Sequence, residues 1–181
     1  KRYQGKIRYW EVWNEPDLSG FNGMSGAEYA KLQKISYESA KAANPDAIVM
    51  TGGFATMSDH AGRKDKDFHR NHLVNARGSF DIHAYHEHGA FMQYANLVDG
   101  KFLPMRKETN TTVPWYANET AIHSMGGSYK VQAVTLFKKA LYSWARGSIG
   151  YTWYDLRNDG FDATDAEHHF GMITNDFYPK M

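Results

Sequence analysis

The sequence predicts an α/β fold with parallel strands, and three observations carry that expectation. A run of aromatic and β-branched residues, Tyr9-Trp10-Glu11-Val12-Trp13-Asn14-Glu15, stops abruptly at Pro16. Four further strand-like runs follow at 47–51, 80–85, 113–119 and 148–154. Between them lie segments whose apolar residues recur at helical spacing. Strand and helix therefore alternate throughout, the pattern of a parallel sheet with right-handed crossovers. No internal repeat, low-complexity tract or linker interrupts it, so residues 1–181 are read as one domain.

Residues 7–15 form the first expected strand. Pro16 pushes Glu15 toward an extended backbone and offers no donor, which places that carboxylate at the strand's carboxyl tip. Ser25-Gly26-Ala27-Glu28 fits a capping box, and Tyr29, Leu32 and Ile35 continue a helix to about Ala43, which Asn44-Pro45-Asp46 ends. Ala47 to Thr51 is nearly continuous in apolar residues, as in a strand covered on both faces, and Gly52-Gly53 closes it. A polar loop at 58–66 leads to a short helix over 67–76 and a strand from Phe80 to Tyr85. The next helix carries Phe91, Tyr94 and Val98; Gly100 interrupts it, and Pro104 suits the first turn of a second piece. Val113 to Glu119 is the fourth strand, with Pro114 tolerable near its start. Val131, Val134, Leu141 and Trp144 mark an amphipathic helix over 129–146, stopped by Gly147. Ser148 to Tyr154 is the fifth strand, and a long polar loop follows it.

Composition narrows the function. Hydrophobic residues at 42% and aromatics at 15% supply a core and argue against disorder. The aromatic content also suits a sugar site, where ring faces cover C–H surfaces. A net charge of +1 without a basic block makes nucleic acid and anionic membrane poor partners. No apolar run is long enough to cross a bilayer. The absence of cysteine excludes disulfides, thiol catalysis and cysteine-ligated zinc. Lys1 in place of an initiator reads as a cut start, so location stays open, a secreted or periplasmic place included.

Two expected strands end in a glutamate, Glu15 in Trp-Asn-Glu-Pro and Glu119 in Tyr-Ala-Asn-Glu-Thr. Strand ends on one side of a parallel barrel converge, so carboxylates far apart in sequence can face each other across a bound sugar. Glycoside cleavage needs such a pair: one protonated carboxyl to help the leaving oxygen depart, one ionised to attack the anomeric carbon. Trp13-Asn14-Glu15-Pro16 closely resembles the acid/base motif of clan A glycoside hydrolases, and Trp10 to Asp17 looks most like family 39 or a related family. The resemblance implies a retaining O-glycoside hydrolase on a (β/α)8 barrel of the TIM type. With Glu15 on barrel strand 4, the next three strands put Glu119 on strand 7, where the clan carries its nucleophile. Asn14 then matches the asparagine that hydrogen-bonds the sugar 2-hydroxyl. His83-Ala84-Tyr85 resembles the clan's His-x-Tyr, whose tyrosine orients the nucleophile and whose histidine lines the site. Trp153 matches the tryptophan under the sugar ring, and Phe170-Gly171-Met172 with Pro179-Lys180 resembles the approach to the last barrel helix. Ala117-Asn118 before Glu119 and Thr120-Ala121 after it depart from the commoner surroundings of that nucleophile.

A full barrel needs about 250 residues, and the registration covers strands 4 to 8 only. The fold expected is therefore an incomplete barrel of five βα units, the carboxyl-terminal part of a catalytic domain. The N-terminal part of the same barrel, or a partner chain, would supply the missing strands, and activity would depend on them. An oligosaccharide or glycoside is the expected substrate, with no cofactor and no metal. Two other classes compete. His83, His86, His88, His168 and His169 could serve a metal-dependent hydrolase, although no His-x-x-x-His or zincin helix is present. A non-catalytic glycan-binding barrel remnant is the third. The polar stretch 155–169, with Asp155, Arg157, Asn158, Asp159, Asp162 and Asp165, would contribute to specificity.

Overall fold

The computed structural model describes residues 2–58 and 65–180. Residues 59–64, the middle of the expected polar loop, lie outside the described residues. The elements alternate as β1 (Tyr9–Val12), α1 (Gly26–Ala43), β2 (Ile48–Thr51), α2 (Phe68–Asn75), β3 (His83–His86), α3 (Phe91–Leu97), α4 (Leu103–Glu108), β4 (Trp115–Thr120), α5 (Tyr129–Ala145) and β5 (Ser148–Trp153). β1 pairs with β2, and β3-β4-β5 form a second sheet, every pairing parallel. Parallel bridges at Met50–Ile82 and Phe54–Tyr85 link the two, supported by Asp81 N–H to Val49 O at 2.7 Å and His86 N–H to Phe54 O at 2.8 Å. The strands thus follow one another in chain order from β1 to β5. Among the described residues the sheet does not close on itself, and β1 and β5 are its outer strands.

Local signals account for most element ends. Ser25 and Glu28 form the capping box of α1, the Ser25 N–H donating to Glu28 Oε2 at 2.8 Å and the Glu28 N–H to Ser25 Oγ at 3.3 Å. Gly100 sits in a wide π-helical turn, Val98–Phe102, between α3 and α4, and Pro104 occupies the first turn of α4. Tyr29, Phe54, Phe68, Leu73, Tyr94 and Phe102 fill the core between helices and sheet. A smaller group, Met50, Ile82 and Ala84 with Ile48 and Tyr116 against it, lies apart from that core and alternates with it along the strands.

Two expectations are corrected. The first strand ends at Val12, not Glu15, because its partner's next donors go elsewhere: the Gly52 N–H donates to Tyr29 Oη at 2.8 Å and the Gly53 N–H to Glu11 Oε1 at 2.8 Å. With no ladder to hold it, the chain turns sharply, Trp13 and Glu15 taking φ of 70° and 44°. The second concerns α5, whose apolar stripe does not face the core. Val131, Val134, Leu141 and Trp144 are exposed, while Gln132, Thr135, Lys139, Ala140 and Ser143 are buried. Gln132 and Lys139 are satisfied by backbone carbonyls. Gln132 Nε2 donates to the carbonyls of Ile122, His169 and Phe170, and Lys139 Nζ to those of Glu87 and Ala121.

Candidate functional site

Glu15 and Glu119, a hundred residues apart in sequence, meet at the carboxyl ends of the strands. Glu15 is 9% exposed, and its Oε1 hydrogen-bonds His86 Nδ1 at 3.0 Å. Glu119 Oε1 lies 3.9 Å from the same nitrogen and 3.5 Å from His88 Nε2. One oxygen of each glutamate and one nitrogen of His86 all fall within 4.8 Å of one another.

The aim of Glu119 depends on an irregularity in β4. Trp115 and Ala117 belong to the helix-side core and Tyr116 packs on the other group; strict alternation would send Glu119 to the helices. Register shifts against both neighbouring strands break the alternation between Ala117 and Thr120. Thr120 takes the buried place, and Glu119 stays beside Asn118.

Three further residues complete the cluster: Asn118 and Glu11, for which the sequence suggests no role, and His86, which it offers only as a candidate metal ligand. Asn118 Nδ2 donates to Glu11 Oε2 at 2.9 Å, joining β4 to β1 across the two strands between them. Glu11 Oε1 accepts from the Gly53 N–H and lies 3.9 Å from His86 Nε2. His86, 1% exposed, stands between Glu11 on one side and Glu15 and Glu119 on the other. Gly53 makes room for it, since a Cβ there would come within 2.1 Å of His86 Nε2. Alternation alone could have flagged Glu11, which shares strand parity with Glu15, and His86, which follows Tyr85 onto the opposite side from it.

The charges are interdependent. Burial works against the His86 imidazolium, but the Glu15 hydrogen bond and the negative charges of Glu119, Glu15 and Glu11 outweigh it and raise its pKa. Burial also opposes ionisation of Glu119, yet the bond from His88 and the charges of His86 and His88 hold that carboxyl below its usual value. Glu11 is pushed up by desolvation, which its bonds from Gly53 and Asn118 only partly offset.

The remaining expected site residues are distributed differently. Asn14 is exposed next to Glu15. His83 and Tyr85 do not line the cluster. Both are fully buried on the helix side of β3, His83 against Phe54, Phe102 and Arg106 Nη1, Tyr85 stacked on Phe102 at 4.2 Å with its hydroxyl donating to Glu87. Trp153 likewise turns away: its Nε1 donates to Phe170 O at 3.2 Å, and its ring lines a groove with Tyr129, Leu136, Phe137 and Met172. The residues that follow Tyr85 and Trp153 stand nearer the carboxylates. His86 touches both glutamates, and Tyr154 stacks on His88 at 5.9 Å between ring centroids. Behind the cluster, Lys139 ties together the exits of β3 and β4 through the carbonyls of Glu87 and Ala121, at 2.9 and 3.0 Å.

No protein-family model matches the sequence, and no curated protein sequence does. Solved structures match closely in fold. A family 39 glycoside hydrolase from the gut symbiont Bacteroides cellulosilyticus WH2 superposes with a TM-score of 0.74 at 22% identity, over 99% of this chain and 39% of that one. A family 128 (subgroup II) endo-β-1,3-glucanase from Sorangium cellulosum gives 0.67 at 17% identity, over 96% and 66% of the two chains. An α-L-arabinofuranosidase from Thermotoga maritima gives 0.67 at 15% identity, over 95% and 37%. The likeness to clan A glycoside hydrolases expected from Trp-Asn-Glu-Pro is therefore present in the fold, and the chain spans only part of each of these proteins.

Proposed function

We propose that this chain is the carboxyl-terminal, five-unit part of a (β/α)8 barrel and that its barrel is a retaining O-glycoside hydrolase. One observation carries the activity: the Glu15 and Glu119 carboxylates come within 4.8 Å of each other at the strand ends. That closeness favours the retaining arrangement, with carboxyl groups about 5–5.5 Å apart, over the wider spacing of about 6.5–9.5 Å that inversion needs for an intervening water. Glu119, held toward its ionised form by His88 and His86, is the nucleophile. Its oxygen bonds to the anomeric carbon as the bond to the leaving oxygen breaks, and Glu15 gives that oxygen its proton. In the second step Glu15 takes a proton from water, whose oxygen displaces Glu119 from the anomeric carbon.

Asn14, exposed beside Glu15, is the residue to meet the sugar 2-hydroxyl. His88 and Tyr154 replace His83, Tyr85 and Trp153 as side chains flanking Glu119, since those three point elsewhere. The rest of the barrel comes from additional strands, in the same polypeptide or another. Two features support that reading: an apolar groove of about 260 Å³ beside β1, lined by Tyr3, Ile7, Trp10 and Ala40, and one of about 250 Å³ beside β5, lined by Trp153 and Phe137.

Azide rescue tests the mechanism. In the barrel completed by its remaining strands, Glu119→Gly should abolish cleavage of an activated glycoside, and azide should restore it with release of a glycosyl azide of inverted configuration. Unimpaired cleavage by Glu119→Gly would reject the role of that residue, and an inactive completed barrel would reject the glycosidase reading.

A further inference from the structure

The Glu15–His86–Glu119 cluster has the donors and the spacing of a cation site, and we infer that it binds a borderline divalent cation, Zn²⁺ or Co²⁺, which blocks the site. The inference rests on the glycosidase reading for its consequence, inhibition, but not for the binding itself. Zn²⁺ takes imidazole nitrogen and carboxylate oxygen at about 2.0–2.2 Å, so neighbouring ligands of a tetrahedral ion stand about 3.3–3.6 Å apart. His86 Nδ1 is 3.0 Å from Glu15 Oε1 and 3.9 Å from Glu119 Oε1, so sub-ångström shifts bring both to that spacing. The third separation, at most 4.8 Å, closes by rotation of the Glu119 side chain, which is 28% exposed.

The surroundings of the ring strengthen the case. A metal-bound histidine commonly donates its second ring N–H to a carboxylate, which fixes the tautomer and orients the ring. Here His86 Nε2 is buried without a hydrogen-bond partner, and the carboxylate nearest it, Glu11 Oε1 at 3.9 Å, is itself fixed by the Gly53 N–H. Proton and cation compete for Nδ1. A cation there ties up the proposed nucleophile and the proposed acid at once, leaving neither able to reach an anomeric carbon.

Titration of the barrel completed by its remaining strands with Co²⁺, followed by its visible d–d absorption and by displacement with Zn²⁺, is the test. One Co²⁺ per chain should bind with the intense bands of four-coordinate cobalt. Glu119→Gln and Glu15→Gln should each weaken binding by about tenfold or more, and Glu11→Gln by about tenfold, the cost of losing an outer-shell partner. Circular dichroism checks that each variant keeps its fold, and His168→Asn/His169→Asn should bind as the unaltered chain does. No binding, or binding indifferent to the three glutamate substitutions, overturns the inference. The two readings fail separately: a completed barrel that hydrolyses glycosides without responding to Zn²⁺ removes only this one, and a chain that binds Co²⁺ in a barrel without activity removes only the other.

Discussion

Asp155 shows how a single side chain at the end of β5 can report on its surroundings. Its Oδ1 is buried without a hydrogen-bond partner, and desolvation, with repulsion from Asp159, pushes the carboxyl up to about 6 against the opposing charge of Lys180. A folded pKa above the unfolded value, about 3.9, means that the carboxyl favours the folded state fully only below that value, and the contribution is lost as pH rises through about 6. Thermal melts between pH 4 and 7.5 should show this loss in the unaltered chain, and Asp155→Asn should flatten the profile. After allowance for partial exposure, the gain at pH 7.5 is about 1 kcal/mol or less. An unchanged profile in the variant would mean that Asp155 is solvated as an ordinary surface carboxylate. Residue identity was the legible part here: the sequence marks Asp155 as polar loop, but its awkward burial depends on Phe170 and Met172, whose backbones pair with its own.

Among the elements, α5 departs furthest from what its pattern suggests. Its apolar stripe faces outward because the opposite face carries the longer-range hydrogen bonds, and Lys139 is the clearest case. Burial brings its amine down to about 7, yet it reaches two backbone carbonyls that have no other cation, and these belong to the loops leaving β3 and β4. Lys139→Met keeps the bulk of the stem and removes the donor to both carbonyls, leaving Ala121 O with the Gly89 N–H and Glu87 O without that partner. Loss of about 1–3 kcal/mol in urea denaturation is expected, together with looser placement of His86, His88 and Glu119. A variant as stable as the parent would show that packing alone holds the two exits together. The β4 irregularity works at the same scale. Asn118 and Glu119 both serve the cluster because the strand breaks its alternation, and nothing in Trp-Tyr-Ala-Asn-Glu-Thr announces that break.

At the scale of the whole molecule, the outer strands govern behaviour. β1 and β5 each offer one unpaired edge among the described residues, with exposed apolar side chains such as Tyr9 and Ile149 on them. Edges of that kind template association with another chain. Size-exclusion chromatography of the polypeptide alone should therefore give self-associated or aggregated material, and co-expression with the complementary barrel strands should give a soluble complex. A stable monomer would count against the need for further strands. No helix among the described residues is long and apolar enough to cross a membrane.

The order of elements and the parallel class were set by local chemistry, which a sequence displays directly: the capping box at Ser25 and Glu28, Pro104 in the first turn of α4, Gly147 after α5. Facing is a different matter. Whether His83 or His86, Trp153 or Tyr154, turns to the carboxylates follows from a one-residue register in a strand whose alternation has no external mark in the sequence. Only the packed sheet decides it, because the helix side accepts one set of side chains and a hydrogen-bond ladder propagates that choice until a bulge or a diverted N–H ends it. The partnership of Glu11, His86, Glu15 and Glu119 is likewise a product of three strands brought together, and no single stretch of chain contains it.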